Sequence, residues 1–283
     1  MSSESRGVRV AKLIADRGLA SRREAESWIG EGRVAVNGTT IDTPALVVDP
    51  EHDVVLVDGK RLPGEPRKVW YLFYKPRGYI VTRDDPEGRP SIFDLLGDMQ
   101  FRVEAVGRLD FDTEGALILT NDGAAAHALL HPSREIPKRY RVKTYRVPSD
   151  ADLDAIRTGV YLEDGKTKPA KCRVVETTKE GNAWLEVTVT EGRNRLVRRM
   201  LAQLGHPVSK LRRESFATIS IRGMERGAIR PLMPLEVRRL LELADGKTPT
   251  EVGRKKRGKG FAKPKPKKPR GGRKPRTVSK PSP

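Results

Sequence analysis

The chain has one cysteine, Cys172, among its 283 residues. A single thiol can close no internal disulfide and supply no cysteine zinc cluster, which fits a reducing cytoplasm. Histidine is nearly as scarce: His52, His127, His131 and His206 are scattered without ligand spacing, so no metal centre is expected. No apolar run approaches the ~20 residues of a membrane-spanning helix. The opening MSSESRGVRV lacks the apolar core of a secretory signal. No glycine-rich nucleotide loop is present. These absences point to a cytoplasmic protein without membrane contact, and a monomer is the default expectation.

Positive charge is what the chain has in excess, a formal +19, and it is unevenly placed. Residues 1–62 hold 9 Lys and Arg against 10 Asp and Glu, residues 63–246 hold 32 against 26, and residues 247–283 hold 15 against 1. Most of the excess therefore lies at the end, in a segment rich in proline with one aromatic residue. Such a segment is too poor in apolar side chains to fold. A disordered basic tail is expected over 245–283, binding phosphate backbones without reading sequence and with strong salt dependence. The remainder is long enough for two small domains.

VRVAKLIADRG places Val10, Leu13 and Ile14 at helical spacing and ends on Gly18. Ser21 followed by Glu24 predicts a capping box, and Ala25, Trp28 and Ile29 the buried face of a second short helix. RVAVNG alternates into Asn37-Gly38, a hairpin signal, and DVVLVDGK repeats the pattern at Asp58-Gly59. Residues 9–38 resemble the S4 RNA-binding domain in order and spacing. That resemblance implies an RNA-facing surface lined by Arg9, Lys12, Arg22, Arg23 and Arg33.

LPGEPRK, residues 62–68, reads as a linker between a domain over 8–61 and a larger one over 69–244. In the larger one, VWYLFYKPRGYIVT predicts a strand, a turn at Lys75-Pro76-Arg77-Gly78 and a second strand. FRVEAVGRLD, KRYRVKTYRV and AWLEVTVTEG alternate as strands. AAAHALLHPS, DADLDAIRTGV and NRLVRRMLAQLG have helical spacing. Strands and helices do not alternate regularly enough for βαβ units, so the expected class is α+β with a mixed, antiparallel-rich sheet flanked by helices.

GRLDFDTEGALILTNDG, residues 107–123, sets Asp110, Asp112 and Glu114 at alternate positions before an apolar run. A calcium loop begins this way, but its twelfth position needs a bidentate glutamate and here holds Asn121. A polar turn accounts for Asp112 and Glu114. Arg108-Leu109-Asp110 continues the preceding strand pattern, and a carboxylate beside an arginine at a strand end is a candidate for nucleophilic or acid–base chemistry.

The same stretch resembles the signature of pseudouridine synthases of the branch that carries an N-terminal S4 domain. YKPRGYIVT, DPEGRP, HPSREIPKRYRV, GVYLEDG and EGRNRLVRRMLAQLGHPV follow in that branch's order, so the similarity covers residues 8–240. The wording around DPEGRP and HPSRE is nearest to members acting on large-subunit (23S) ribosomal RNA. The resemblance implies isomerisation of uridine in rRNA, free or in a pre-ribosomal particle, without cofactor or metal. Small-subunit rRNA, or a non-catalytic ribosome assembly role, are the alternatives. It implies Asp110 as nucleophile, Tyr140 against the base, Arg198 as the cation paired with Asp110, and Arg108 as the side chain that fills the gap left by a flipped base. Two departures stand out: many relatives have His-Gln where this chain has Arg195-Leu196, and leucine where it has Ala116. On a helix, Arg195, Arg198 and Arg199 share a face, so a plain basic stripe competes for each of them.

Overall fold

Two short helices and a hairpin sheet form the N-terminal part of the protein. The structure is a computed structural model describing residues 7–97, 99 and 101–248. The basic tail expected from the sequence lies, from residue 249 onward, outside the described residues. Strand β1 (Val8–Arg9) leads directly into α1 (Val10–Asp16), followed by α2 (Arg22–Gly30). The predicted capping box starts α2: the Ser21 hydroxyl accepts from the Glu24 amide, and the Glu24 carboxylate accepts from the Ser21 amide, both at 3.1 Å. Strands β2 (Val34–Val36), β3 (Thr39–Thr40), β4 (Val47–Val48), β5 (Val55–Val57) and β6 (Lys60–Arg61) follow. Asn37-Gly38 and Asp58-Gly59 have φ of 50° and 84°, and 50° and 75°, the paired positive values that tight hairpins require. The four-stranded sheet β3-β2-β5-β6 packs on the helices through Val10, Leu13, Ile14, Ala25, Ile29 and Val34.

The second part contains β7 (Trp70–Lys75), α3 (Ile92–Leu96), β8 (Glu104–Ala105), β9 (Glu114–Thr120), α4 (Gly123–Leu130), β10 (Lys138–Thr144) and α5 (Asp150–Thr158). It continues with β11 (Tyr161–Leu162), β12 (Gly165–Lys166), β13 (Lys171–Thr177), β14 (Ala183–Val189), α6 (Leu196–Gln203), β15 (Val208–Phe216), β16 (Ile219–Ser220), β17 (Ile229–Pro231) and α7 (Pro234–Ala244). Its main sheet runs β13-β14-β10-β15-β9-β7-β17, with β16 on β15 and β8 on β9. All its pairings are antiparallel except β15 with β9. This is the mixed, antiparallel-rich α+β architecture the sequence predicts.

Helices α5 and α6 cover one face of β13-β14-β10-β15. Val142, Leu185 and Val187 meet Leu153, Ile156, Val197 and Met200 there. At the other end of the sheet, Leu72 and Ile118 pack with Leu129 and Leu240 of α4 and α7.

Two strand expectations need correction. The strand predicted after the Lys75–Gly78 turn is only an isolated bridge between Ile80 and Ser91. Pro86 and Pro90 in the facing segment lack the amide hydrogens a ladder needs. FRVEAVGRLD is strand only at Glu104–Ala105. Gly107, at φ 75°, turns the chain away, so Asp110 lies on a loop before β9 and not at a strand end.

Gly115, the second residue of β9, stands where no side chain fits. Its φ is 124°, and a Cβ would stand 2.2 Å from the Arg213 carbonyl oxygen across the parallel β9–β15 contact. Backbone cannot yield as a flexible side chain can. Gly115→Ala is expected to destabilise the fold by about 3 kcal/mol or more, read from a urea unfolding curve. A change within about 0.5 kcal/mol would show that the two strands can separate.

Candidate active site

The loop carrying Asp110 is fastened from below by a buried cation. Lys75, the last residue of β7, has no exposed surface. Its Nζ donates to the carbonyls of Pro76 (3.0 Å), Asp110 (3.1 Å) and Thr113 (2.9 Å). The Asp110 carbonyl also accepts from the Thr113 amide at 3.0 Å, closing a turn, while Leu109 anchors the loop in the core. Burial pushes the Lys75 ammonium down to about 8, opposed by the nearby carboxylates of Asp110 and Asp112.

From above, the loop meets two arginines. Arg198 on α6 is mostly buried, and its Nη2 stands 2.9 Å from Asp112 Oδ2. The same nitrogen donates to the Asp112 carbonyl, and Nη1 to that of Val208, each at 3.3 Å. Arg195 extends a more exposed guanidinium whose Nη1 lies 3.5 Å from Asp112 Oδ1 and 3.9 Å from Asp110 Oδ2. The expected pairing is therefore rearranged: Arg198 holds Asp112, and Arg195 is the cation beside Asp110. Arg195 precedes α6 in a left-handed conformation, φ 47° and ψ 29°, and does not share the helical face assumed from spacing. Burial draws the Arg198 pKa below its ordinary value, with Asp112 opposing, yet a guanidinium stays charged at any physiological pH.

Asp112 and Glu114 also do more than fill a turn. Asp112 joins both arginines to the loop, and Glu114 receives Arg226 at 2.9 Å. The Asp110 side chain keeps 31% of its surface, enough to meet a substrate.

Asp110 and Tyr140 line a cleft of about 1510 Å³ whose opposite wall is the α1–α2 region. Tyr140 projects from β10 and is partly buried against the core. Arg108 is exposed at the rim, and Arg17, Arg22 and Arg23 face it from the N-terminal part. None of these four makes an ion pair among the described residues. The other S4 candidates are placed elsewhere. Arg33 makes a two-pronged contact with Asp58 (2.9 and 2.7 Å) and lies over the Trp28 ring, Lys12 bonds Asp16 at 2.5 Å, and Arg9 is exposed outside the cleft.

Sequence reasoning missed two buried cations in the cleft region, although each left a signal. Lys138 shares strand parity with Tyr140 and Val142; its Nζ donates to the Ile136 carbonyl at 2.9 Å, and burial pushes it down to about 8. Arg213 is 3% exposed and donates to the Ala116 carbonyl at 2.7 Å. Charges on the core side of an alternating strand are costly without partners, so their presence there marks them.

A loop-borne carboxylate thus lies in a cleft between a small helical module and a large mixed sheet. Residues 69–203 match the RNA pseudouridylate synthase family and residues 8–55 the S4 domain. The chain belongs to the RNA pseudouridine synthases, which are isomerases.

Among its relatives, it is 42% identical to ribosomal large subunit pseudouridine synthase B of Bacillus subtilis (strain 168), over 84% of this chain and 97% of that protein. The protein of the same name from Yersinia pestis is 40% identical over 78% of this chain and 71% of its own. A solved structure described as a pseudouridylate synthase superposes with a TM-score of 0.60 at 28% identity, covering 82% of this chain and 99% of that one.

Proposed function

We propose that the protein converts uridine to pseudouridine in large-subunit (23S) ribosomal RNA, with Asp110 as the nucleophile. The observation that carries this reading is the Asp110 carboxylate, solvent-accessible in a basic cleft on a loop pinned from both sides by Lys75 and the Arg195–Asp112–Arg198 group. The relatives named for the large subunit support the choice of RNA.

The target base leaves its stack to enter the cleft, and Arg108 at the rim is placed to occupy the space it vacates. Asp110 then attacks the uridine, at C6 of the base or at C1′ of the ribose. The C1′–N1 bond breaks, the base turns, a C1′–C5 bond forms, and the bond between Asp110 and the substrate breaks to return the free carboxylate. The C5 proton is removed and N1 ends protonated, so nothing is oxidised and no group leaves. Tyr140 packs against the base and is the candidate to move that proton. Arg195, with its guanidinium 3.9 Å from the Asp110 carboxylate, is the cation that faces the nucleophile, while Arg198 acts one step removed by holding Asp112. Arg22 and Arg23 bind the flanking phosphates across the cleft.

The test is a map of pseudouridines in 23S and 16S rRNA from cells with and without the gene. One or a few 23S positions should revert to uridine. Reversion in 16S instead would overturn the large-subunit assignment, and no reversion anywhere would overturn the reading.

A further inference from the structure

Tyr140 and Arg141 are consecutive on β10, and Arg213 and Arg212 on β15, so each pair projects to opposite faces of the sheet. Tyr140 and Arg213 line the catalytic cleft, whereas Arg141 and Arg212 line a second groove, of about 570 Å³, on the far side. There α5 and α6 are absent, since they cover the cleft face of the same four strands. The far face of β13-β14-β10-β15 lies open.

An uncovered sheet face needs polar side chains, but mixed charge would serve that purpose. This one is biased. The strands place Arg139, Arg141 and Lys143 on it from β10, Lys210 and Arg212 from β15, and Lys171 and Arg173 from β13. The acids alternating onto the same face are Glu186, Glu214 and, after a bulge in β13, Glu176. They are used: Glu176 receives Arg141, Glu186 receives Arg173, and Glu214 receives Arg212. Lys143, Lys171 and Lys210 have no ion pair among the described residues.

At the groove, Arg77 and Arg226 add two more cations against Glu114, and the Arg141 guanidinium lies 5.4 Å from the centre of the Trp184 ring. Arg77 belongs to the turn after β7, which touches the catalytic loop: the Gly78 amide donates to the Phe111 carbonyl at 2.8 Å. The basic face thus begins beside the active site and runs away from it.

We propose that this far face is a second docking surface, which takes the phosphate backbone of a structured RNA segment outside the one that enters the cleft. The spacing suits it. The neighbouring strands β10 and β15 set Arg141 opposite Arg212 and Lys143 opposite Lys210, about 5 Å apart across the sheet, close enough for their side chains to reach successive phosphates of one strand. Contacts to phosphates contribute affinity and orientation, not sequence choice. Its role would be to let the enzyme prefer an RNA whose second arm folds back along the sheet. The inference rests on RNA being the substrate, but not on which uridine is modified.

The double variant Lys143→Gln, Lys210→Gln removes two unpaired cations and touches neither the cleft nor the fold's ion pairs. Binding should be measured against a short stem-loop that contains a modified uridine and against a long rRNA fragment that contains the same stem-loop. For the long fragment, affinity at 0.1 M salt should fall about tenfold or more, and the slope of log affinity against log salt should shrink by nearly two. The short RNA should be bound within twofold. Equal loss on both RNAs, or loss on neither, would overturn the proposal. Retained affinity in Lys143→Arg, Lys210→Arg would separate charge from packing, and loss in that variant too would also overturn it. Pseudouridine formation by the unaltered enzyme, assayed in parallel, reports on the proposed function independently of this comparison.

Discussion

Asp110→Asn should form pseudouridine at least about 10⁴-fold more slowly than the unaltered enzyme, the scale on which loss of a catalytic nucleophile acts, while binding RNA within a few-fold. The two halves of that expectation have different origins. An amide of the same size cannot attack carbon as a carboxylate does. The loop, however, is held through atoms the substitution leaves alone. The Asp110 carbonyl still receives Lys75 and the Thr113 amide, and Asp112 still holds Arg195 and Arg198. Loss of one negative charge in a basic cleft does not weaken attraction for phosphate. Single-turnover tritium release from C5-labelled RNA measures the first half, and filter binding the second. Measurable turnover within a hundredfold of the original would remove Asp110 as nucleophile.

Lys75→Met is expected to cost both stability and activity. The substitution fills much of the same volume but leaves three carbonyls, of Pro76, Asp110 and Thr113, without their donor. A buried polar group left unsatisfied costs about 1–3 kcal/mol, and partial relaxation will share the loss, so about 3 kcal/mol in all is expected. Activity should fall further than stability alone explains, because the released loop is the one that carries Asp110.

The pH dependence supplies an independent check. In the folded protein the Lys75 pKa is lowered from 10.5 to about 8. Between those values the unfolded chain binds a proton that the folded chain does not, so this group's contribution to stability rises with pH across that window. Below pH 8 both states are protonated, and the cost of burying the charge is present in full. Urea unfolding at pH 7 and pH 9.5 should therefore show the gap between the original protein and Lys75→Met widening at the higher pH. A gap that narrowed would mean that the ammonium is stabilised, not penalised, by its site.

Local structure was readable to the extent that it depends on near neighbours in sequence. The Ser21–Glu24 capping box and the Asn37-Gly38 and Asp58-Gly59 hairpins each involve residues within four positions, and all three are present. The failures occurred where alternation suggested strands but no partner strand was available, as at residues 79–82 and 106–110. A strand exists only when a second segment pairs with it, and that segment is not visible in the first.

The site divides along the same line. Asp110 and Tyr140 are brought to one cleft, as their family positions imply. Which arginine meets which carboxylate was not readable: the family position pointed Arg198 at Asp110, whereas Arg198 meets Asp112 and Arg195, in a left-handed backbone ahead of α6, stands beside Asp110. Asp112, passed over as turn chemistry, became the link between both arginines and the loop.

The sequence by itself determined the α+β class, the S4-like start and the family, and singled out Asp110 as the carboxylate to test, since these rest on local patterns and contiguous motifs. Tertiary structure alone decided that Lys75 sits beneath that carboxylate, that Arg195 lies nearest it, and that Gly115 has no room for a side chain. Those three facts join residues 35, 85 and 98 positions apart along the chain. No periodicity spans such distances; only packing of β7, β9, α6 and β15 brings those atoms within reach of one another.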